Sequence, residues 1–587
     1  MKKTPLILIA ILVSTFLVNC KSEKNKVDFS TITKNYFDDK NALDPLSATQ
    51  SGQNEYNDKL QFEMTDSYRK SQLDFFNKYE STLDSIDEKE LSAEEKNSYE
   101  IIKWEVSVGK KLLDQPTNLM PIHQFWGTHL TMGQYAGGTS GQPFKTEKDY
   151  TNFLKRMDLY SVWIDSAMVY MKKGIRKGAV LPKSLTEKVI PQFAEMATPN
   201  VEDNLFYSAI KIMPDAFSDA TKKDLTAKYT ATINDKLIPQ YKKMAEFLKK
   251  EYLPASRSTS GIGSLPFGKE LYAAYVKQWT TTEMTPEEIH ELGLKEVARI
   301  NAEMEKVKNQ VGFKGTLIDF FEYVRNKPEL KPFKKPEEVI ANFNRIYSVI
   351  KPNVDKLFSL QPKTKFEIRR TEAFREKTAS AEYSQGTADG SRPGIFYVPI
   401  PDVKEYNMYG DEDLFLHEAI PGHHFQISLQ QENASLPDFR KFNWFGAYGE
   451  GWALYTESLG KELGLYKDPY QYFGMLGNEM HRAVRLVVDT GLHSKGWTRE
   501  QAIKYSLENE AESEASITTE IERYMAIPGQ ALSYKIGQLK IMELRKRAQD
   551  KMGAKFDIKK FHEMVLESGV MPLALLEKKI DEWIASK

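Results

Sequence analysis

Residues 414–430 read Leu-Phe-Leu-His-Glu-Ala-Ile-Pro-Gly-His-His-Phe-Gln-Ile-Ser-Leu-Gln. They place His417, His423 and His424 within eight residues of a chain that has nine histidines in all. The pair His417-Glu418 matches the start of His-Glu-x-x-His, in which two imidazoles one helical turn apart bind zinc and the glutamate activates water at the metal. Here the fourth residue after His417 is Pro421. The standard spacing is therefore absent, and geometry decides whether a variant of it works.

On a straight helix His423 lies about 9 Å along the axis and about 240° round from His417, and His424 returns to the same face only after a rise of about 10.5 Å. Neither pair grips one ion at about 2.0–2.1 Å from each nitrogen. Pro421 offers the way out, because it cannot donate to the carbonyl of His417 and its ring pushes against that carbonyl. Gly422 then permits an unusual backbone angle. The expected result is a two-residue bulge that carries a later histidine back to the position normally four residues on. Whether that histidine is His423 or His424 is open at this point.

Further along, Glu450 and Glu457 stand seven residues apart, nearly two whole turns, and so share one face of a helix. Arg482, Arg485, Asp489 and His493 follow at spacings of three, four and four and line one helix face, where they could pair as a salt-bridge ladder. In a functional reading Arg485 or His493 holds a substrate carboxylate or oxyanion, arginine by a two-pronged contact.

The elements that must position these groups are mostly helical. Thr285-Pro286-Glu287-Glu288 is a capping box with proline at the first helical position, followed by apolar residues at helical spacing to Val311. Similar runs cover Asp149–Lys173, Thr221–Glu251, Pro336–Leu360 and Arg499–Arg523. The best strand candidate is Ile395–Ile400, just ahead of the histidine cluster. It reads either as an edge strand that pairs with a substrate backbone or as part of a buried hairpin. Four segments are expected: residues 1–19 as a lipoprotein signal peptide, 20–45 as a tether, 46–255 as an N-terminal helical region, and 256–587 as a catalytic helical region forming one body with it.

At the N-terminus, Lys2 and Lys3 precede an uncharged apolar run from Leu6 to Val18, the pattern of an export signal too short to be a stable transmembrane helix. Leu17-Val18-Asn19-Cys20 resembles the lipobox of bacterial lipoproteins, although Asn19 departs from the usual small residue there. Cys20 is the only cysteine of the 587 residues, which fits a dedicated use for it. The expected location is the bacterial cell envelope, exported and held to a membrane through lipidated Cys20 only. With 81 Lys and Arg against 82 Asp and Glu there is no basic field for a nucleic acid, and the expected partner is a short peptide. The oligomeric state has no signature in the sequence.

The stretch from His417 to Gln426 resembles the signature of a large bacterial family, domain of unknown function 885, grouped with zinc peptidases of the gluzincin type. Leu265-Pro266-Phe267-Gly268, Thr285 to Gly293, Glu450-Gly451-Trp452-Ala453-Leu454-Tyr455 and Pro528 to Tyr534 resemble further blocks of it. The resemblance implies a mainly α fold: a large helical, zinc-peptidase-like body with a deep cleft and a small β-sheet beside the metal helix. Similarity to helical zinc carboxypeptidases and oligopeptidases, where the second histidine follows a glycine, favours His423 over His424. The same similarity makes Glu450 the third zinc ligand and Glu457 a support for a histidine, with the roles exchangeable. Ser533-Tyr534-Lys535-Ile536-Gly537 resembles the block of their catalytic tyrosine, which implies Tyr534 as oxyanion donor with Tyr524 in reserve.

The expected function is a zinc-dependent metallopeptidase acting on short peptides, with Glu418 as general base. The alternatives are a non-catalytic ligand-binding lipoprotein with a degenerate metal site, and a zinc hydrolase of a non-peptide amide.

Overall fold

The structure, a computed structural model, describes residues 28–138, 141–372, 376, 379–387, 390 and 392–586. The expected signal peptide and Cys20 lie outside the described residues. Of the tether expected over 20–45, the described part is helix from Phe29 to Leu43, packed on the body. Asp28 caps α1 (Phe29–Leu43) by accepting from the Ser30 N–H, and Phe29, Ile32, Tyr36 and Phe37 turn one buried stripe into the body.

Capping boxes also start α2 (Ala93–Leu113), α3 (Glu147–Lys177) and α4 (Pro286–Gln310), the last on Thr285 and Glu288 as the sequence leads one to expect. Beyond α4 a three-stranded sheet is formed by β1 (Phe366–Arg370), β2 (Glu382–Ser384) and β3 (Gly394–Val398), in the order β1-β3-β2. β3 lies parallel to β1, with Phe366 opposite Gly394, and antiparallel to β2, with Glu382 opposite Tyr397. Of the two readings of this strand the hairpin holds, since β3 pairs antiparallel with the preceding β2, and the edge reading fails, since β3 is the central strand. Both its backbone edges are taken, and it has none left for a substrate.

The remaining elements carry the site. They are α5 (Asp411–Glu418), α6 (His423–Glu432), α7 (Gly446–Glu457), α8 (Pro469–His493), α9 (Glu514–Ala526) and α10 (Ser533–Met552). The single helix expected over Arg499–Arg523 is two, Arg499–Asn509 and α9, because Glu510 turns extended and Ser513 caps a fresh start by accepting from Ser516. This break frees Glu510 to reach α8.

Apolar packing does not follow the expected division at residue 255. One core runs from Leu46 to Tyr252 around α3. α1 and α2, by contrast, share a core with α4, α5, α7 and α8, through residues such as Tyr36, Ile102, Ile300, Phe415, Trp452 and Val487. No helix among the described residues is long and apolar enough to cross a membrane.

Two close fits fix the helices around the site. α7 and α10 cross backbone to backbone, since a Cβ on Gly451 would fall on the Cα of Gly537. Behind that crossing, the fully buried Lys535 of α10 bonds Glu479 of α8 at 2.7 Å and Glu296 of α4 at 2.9 Å, and Arg299 joins the same two carboxylates. Removing one partner of such a buried group leaves uncompensated charge. Lys535→Ala is therefore expected to destabilise the fold by about 3–5 kcal/mol, seen as a fall in the urea unfolding midpoint.

Candidate metal centre

α5 ends at Glu418 and α6 begins at His423, with Ala419 at φ −108°, ψ −105° and Gly422 at φ −76°, ψ −131° between them. The two-residue bulge expected inside one helix is thus a full break between two helices. Pro421 has no N–H to continue α5, and the carbonyls released there find side chains instead. Leu416 accepts from the Thr456 hydroxyl at 2.9 Å, and Pro421 accepts from the Trp452 indole N–H at 2.9 Å. Both donors belong to α7. Gly422 is needed for room rather than for its angle, because its φ is ordinary but a Cβ would fall on the carbonyl oxygens of His417 and Leu416.

The break turns the two imidazoles toward each other. The rings of His417 and His423 stand 4.9 Å apart, centroid to centroid, with planes at 89°. Glu450, one turn into α7, brings Oε2 to 3.7 Å from His417 Nε2 and 3.3 Å from His423 Nε2. One donor atom from each of the three lies within 4.8 Å of the others, and no other such group of His, Cys, Asp and Glu exists among the described residues.

A tetrahedral site with bonds of about 2.1 Å has edges of about 3.4 Å between ligand atoms. The two His–Glu separations bracket that edge, and two imidazoles with one carboxylate form a donor set suited to zinc with one position open. These residues therefore fit the metal the sequence implies. Glu457, two turns beyond Glu450 on the same face, accepts from His417 Nδ1 at 2.6 Å. That bond fixes the ring with Nε2 turned to the Glu450 side, where a metal ion would take the place of the Nε2 proton.

The cluster is an acid-rich pocket that favours positive charge. Burial would lower the pKa of His417, but its bonds to Glu450 and Glu457 push it up to about 10. Burial would raise that of Glu450, yet His423 and His417 hold its carboxyl well below the usual range. Glu418, the residue after His417, has its carboxyl raised by burial, against the pull of the neighbouring imidazoles and Arg482. The side that opens to solvent is that of Glu450, whose side chain keeps 17 % exposure. There the exposed ring of Trp444 stands 5.9 Å from His423.

The other sequence candidates separate. His424 is taken up beside the sheet, its Nδ1 bonded to the Tyr383 hydroxyl at 3.0 Å and its ring 4.9 Å from Phe366, and it is not among the converging atoms. Tyr534 stands in the first turn of α10, beside the start of α7. Its hydroxyl receives the Gln530 amide at 3.5 Å, and its ring lies under the Arg485 guanidinium at 4.5 Å. Tyr524 is spent: its hydroxyl donates to Glu520 at 2.8 Å and accepts from Arg485 Nε at 3.0 Å.

His493 is a correction. Its Nδ1 accepts from the Ile262 N–H at 2.9 Å, so Nε2–H donates to the Tyr524 carbonyl at 3.1 Å, and burial holds the ring neutral with a pKa of about 3. With both nitrogens engaged it braces three segments and has none left for a substrate. The expected ladder on α8 is also absent, because its members look outward to other elements: Asp489 accepts from the Tyr272 hydroxyl at 2.6 Å and the Gly529 N–H at 3.1 Å, and Arg485 bonds Glu520 at 3.0 Å.

Sequence reading missed the braces Trp452 and Thr456 and the partners Glu520 and Arg523. The only signal for the first two is their place on the helix of Glu450 and Glu457. Gly422 is a geometric requirement of the site, since a side chain there collides with the carbonyls of His417 and Leu416. Gly422→Ala is expected to keep the helical circular dichroism but bind zinc at least about 10-fold more weakly, as for other displaced metal supports, in a competition with a chromophoric chelator.

Three comparisons bear on identity. No curated protein matches the chain. Among solved structures, the crystal structure of a "putative lipoprotein" from Colwellia psychrerythraea is 29 % identical, with a TM-score of 0.87 over 95 % of this chain and 99 % of that one. A "putative lipoprotein of unknown function" from Shewanella oneidensis shares the fold, with a TM-score of 0.73 at 21 % identity over 94 % and 99 % of the two chains. Residues 45–580 match a family described as bacterial protein of unknown function (DUF885). Spanning nearly the whole described body, that match makes this chain a member of the DUF885 family.

Proposed function

We propose that the chain is a zinc-dependent hydrolase of short peptides, of the gluzincin kind, lipid-anchored through Cys20 in the bacterial envelope. The observation that carries the proposal is the convergence of His417, His423 and Glu450 from three helices, with Glu457 fixing the His417 ring behind them. Zinc held there supplies Lewis-acid charge at a carbonyl oxygen and lowers the pKa of water. The rest is work for the chain. Glu418, adjacent to a ligand and with its pKa raised by burial, takes a proton from the attacking water and hands it to the leaving nitrogen. Tyr534, whose hydroxyl receives the Gln530 amide at 3.5 Å and keeps its own proton to give, donates to the oxyanion of the tetrahedral intermediate. Arg440, Glu94 and the α7–α10 crossing hold the surrounding helices in place.

The test uses protein purified without added metal and a library of short peptides. About one zinc per chain is expected, by elemental analysis. Glu418→Gln is expected to keep the zinc while its turnover falls by about 10²–10⁴-fold. Zinc with no turnover above the variant would instead make the protein a metal-containing binder, or a hydrolase of another amide. Absence of zinc after reconstitution would overturn the proposal.

A further inference from the structure

Beside the candidate metal centre lies a cluster of guanidinium groups that the proposed chemistry leaves unused. Arg485 of α8 is 5 % exposed. Its Nε bonds Tyr524, its Nη2 bonds Glu520 at 3.0 Å and His481 at 3.1 Å, and one ring face of Tyr534 covers it. Its Nη1 is buried with no hydrogen-bond partner. Two further guanidiniums repeat the pattern. Arg482, one turn earlier on α8, spends Nη1 on Asn478 and leaves Nε buried and unpaired. Arg523 of α9 spends Nη1 on Glu520 and Nη2 on Gln530 at 2.6 Å and likewise leaves Nε unpaired.

Around these arginines Glu520 is shared between Arg485 and Arg523, Glu510 is taken by His481, Asp489 is held by Tyr272 and Gly529, and Asp413 and Glu418 lie within electrostatic reach of Arg482. What the cluster leaves over is hydrogen-bonding capacity: three guanidinium donors are buried without a partner, and a buried unpaired donor is destabilising until a ligand accepts from it. A planar guanidinium fork matches one ligand geometry above others, the two oxygens of a carboxylate.

The cluster also has a definite place relative to the chemistry. Asn478, which holds Arg482, donates to Asp413 at 2.6 Å, one turn before His417 on α5, and Arg482 acts electrostatically on Glu418. On the other flank, the Arg485 guanidinium stacks on Tyr534. On its far side, Arg523 lies under the exposed ring of Phe125, 5.3 Å from its centroid.

We infer that Arg485, with Arg482 and Arg523 beside it, is the receptor for a carboxylate of the substrate. The inference rests on the peptidase reading for its consequence: a carboxylate held between Glu418 and Tyr534 sets the cut next to that charge. The carboxylate comes either from the free C-terminus of the peptide, giving release of C-terminal residues, or from an acidic side chain beside the scissile bond.

The test separates the subsite from catalysis. Zinc-loaded Glu418→Gln protein is titrated calorimetrically with an N-acetylated tripeptide in three forms: C-terminal acid, C-terminal amide, and amide carrying one aspartate. The acid is expected to bind about 30–100-fold more tightly than the plain amide, the scale of a charged hydrogen-bonded pair. Tight binding of the aspartyl amide instead assigns the side chain as the source. Adding Arg485→Lys, which keeps the charge facing Glu520 but loses the fork, is expected to reduce the preference to about threefold or less. Equal binding of all three forms overturns the inference, as does binding of none, or a preference that survives Arg485→Lys. Failure of the peptidase reading shows separately, as absence of turnover by the wild-type protein in a titration where the acid form still binds.

Discussion

Two imidazoles six residues apart meet at one point only if the helix between them stops. Everything at the centre of this protein follows from that constraint. Pro421 removes the donor that would carry α5 onward, and Gly422 lets the returning chain pass against the carbonyls of the helix it has just left. A helix with the usual four-residue spacing needs no such device, because its own periodicity superposes the two rings. Here the geometry is built by a break, and a break must be braced.

The brace is a single helix. α7 supplies Glu450 to the open side of the imidazoles and Glu457 to the back of His417, seven residues and nearly two turns apart on one face. From a neighbouring face it supplies Trp452 and Thr456 to the two carbonyls that the break leaves without helical donors. α7 is itself positioned by its glycine crossing with α10, which carries Tyr534 and Lys535. The buried lysine then ties α10 to α4 and α8. Errors in placing any of these helices are transmitted to the point where three donor atoms converge, which is why so much close backbone packing and buried charge surrounds them.

What could be read in advance was whatever depends on residue type and short spacing. His417, Glu418, the proline–glycine pair and the shared face of Glu450 and Glu457 are visible in the sequence because each is a local relation. So are the capped starts of helices such as α4. The relations that escaped are long-range. A periodicity of three and four on α8 shows that Arg485, Asp489 and His493 share a face, but not that His493 is consumed by Ile262, 231 residues away. β3 reads as a strand from its apolar run, whereas β1 carries three charged residues in five and β2 is three residues long, so the central position of β3 is legible only once they pair. For α1 the signal was present, with apolar residues at positions 29, 32, 36 and 37 on one helical face, and the tether expectation passed over it.

The central claim is that His417, His423 and Glu450 share one ion. Anomalous diffraction from crystals of zinc-loaded protein, recorded above and below the zinc absorption edge, tests it most directly. One strong peak is expected at about 2.0–2.2 Å from His417 Nε2, His423 Nε2 and a Glu450 oxygen. Anomalous signal only elsewhere, or imidazoles that diverge around an empty centre in zinc-loaded crystals, would contradict it.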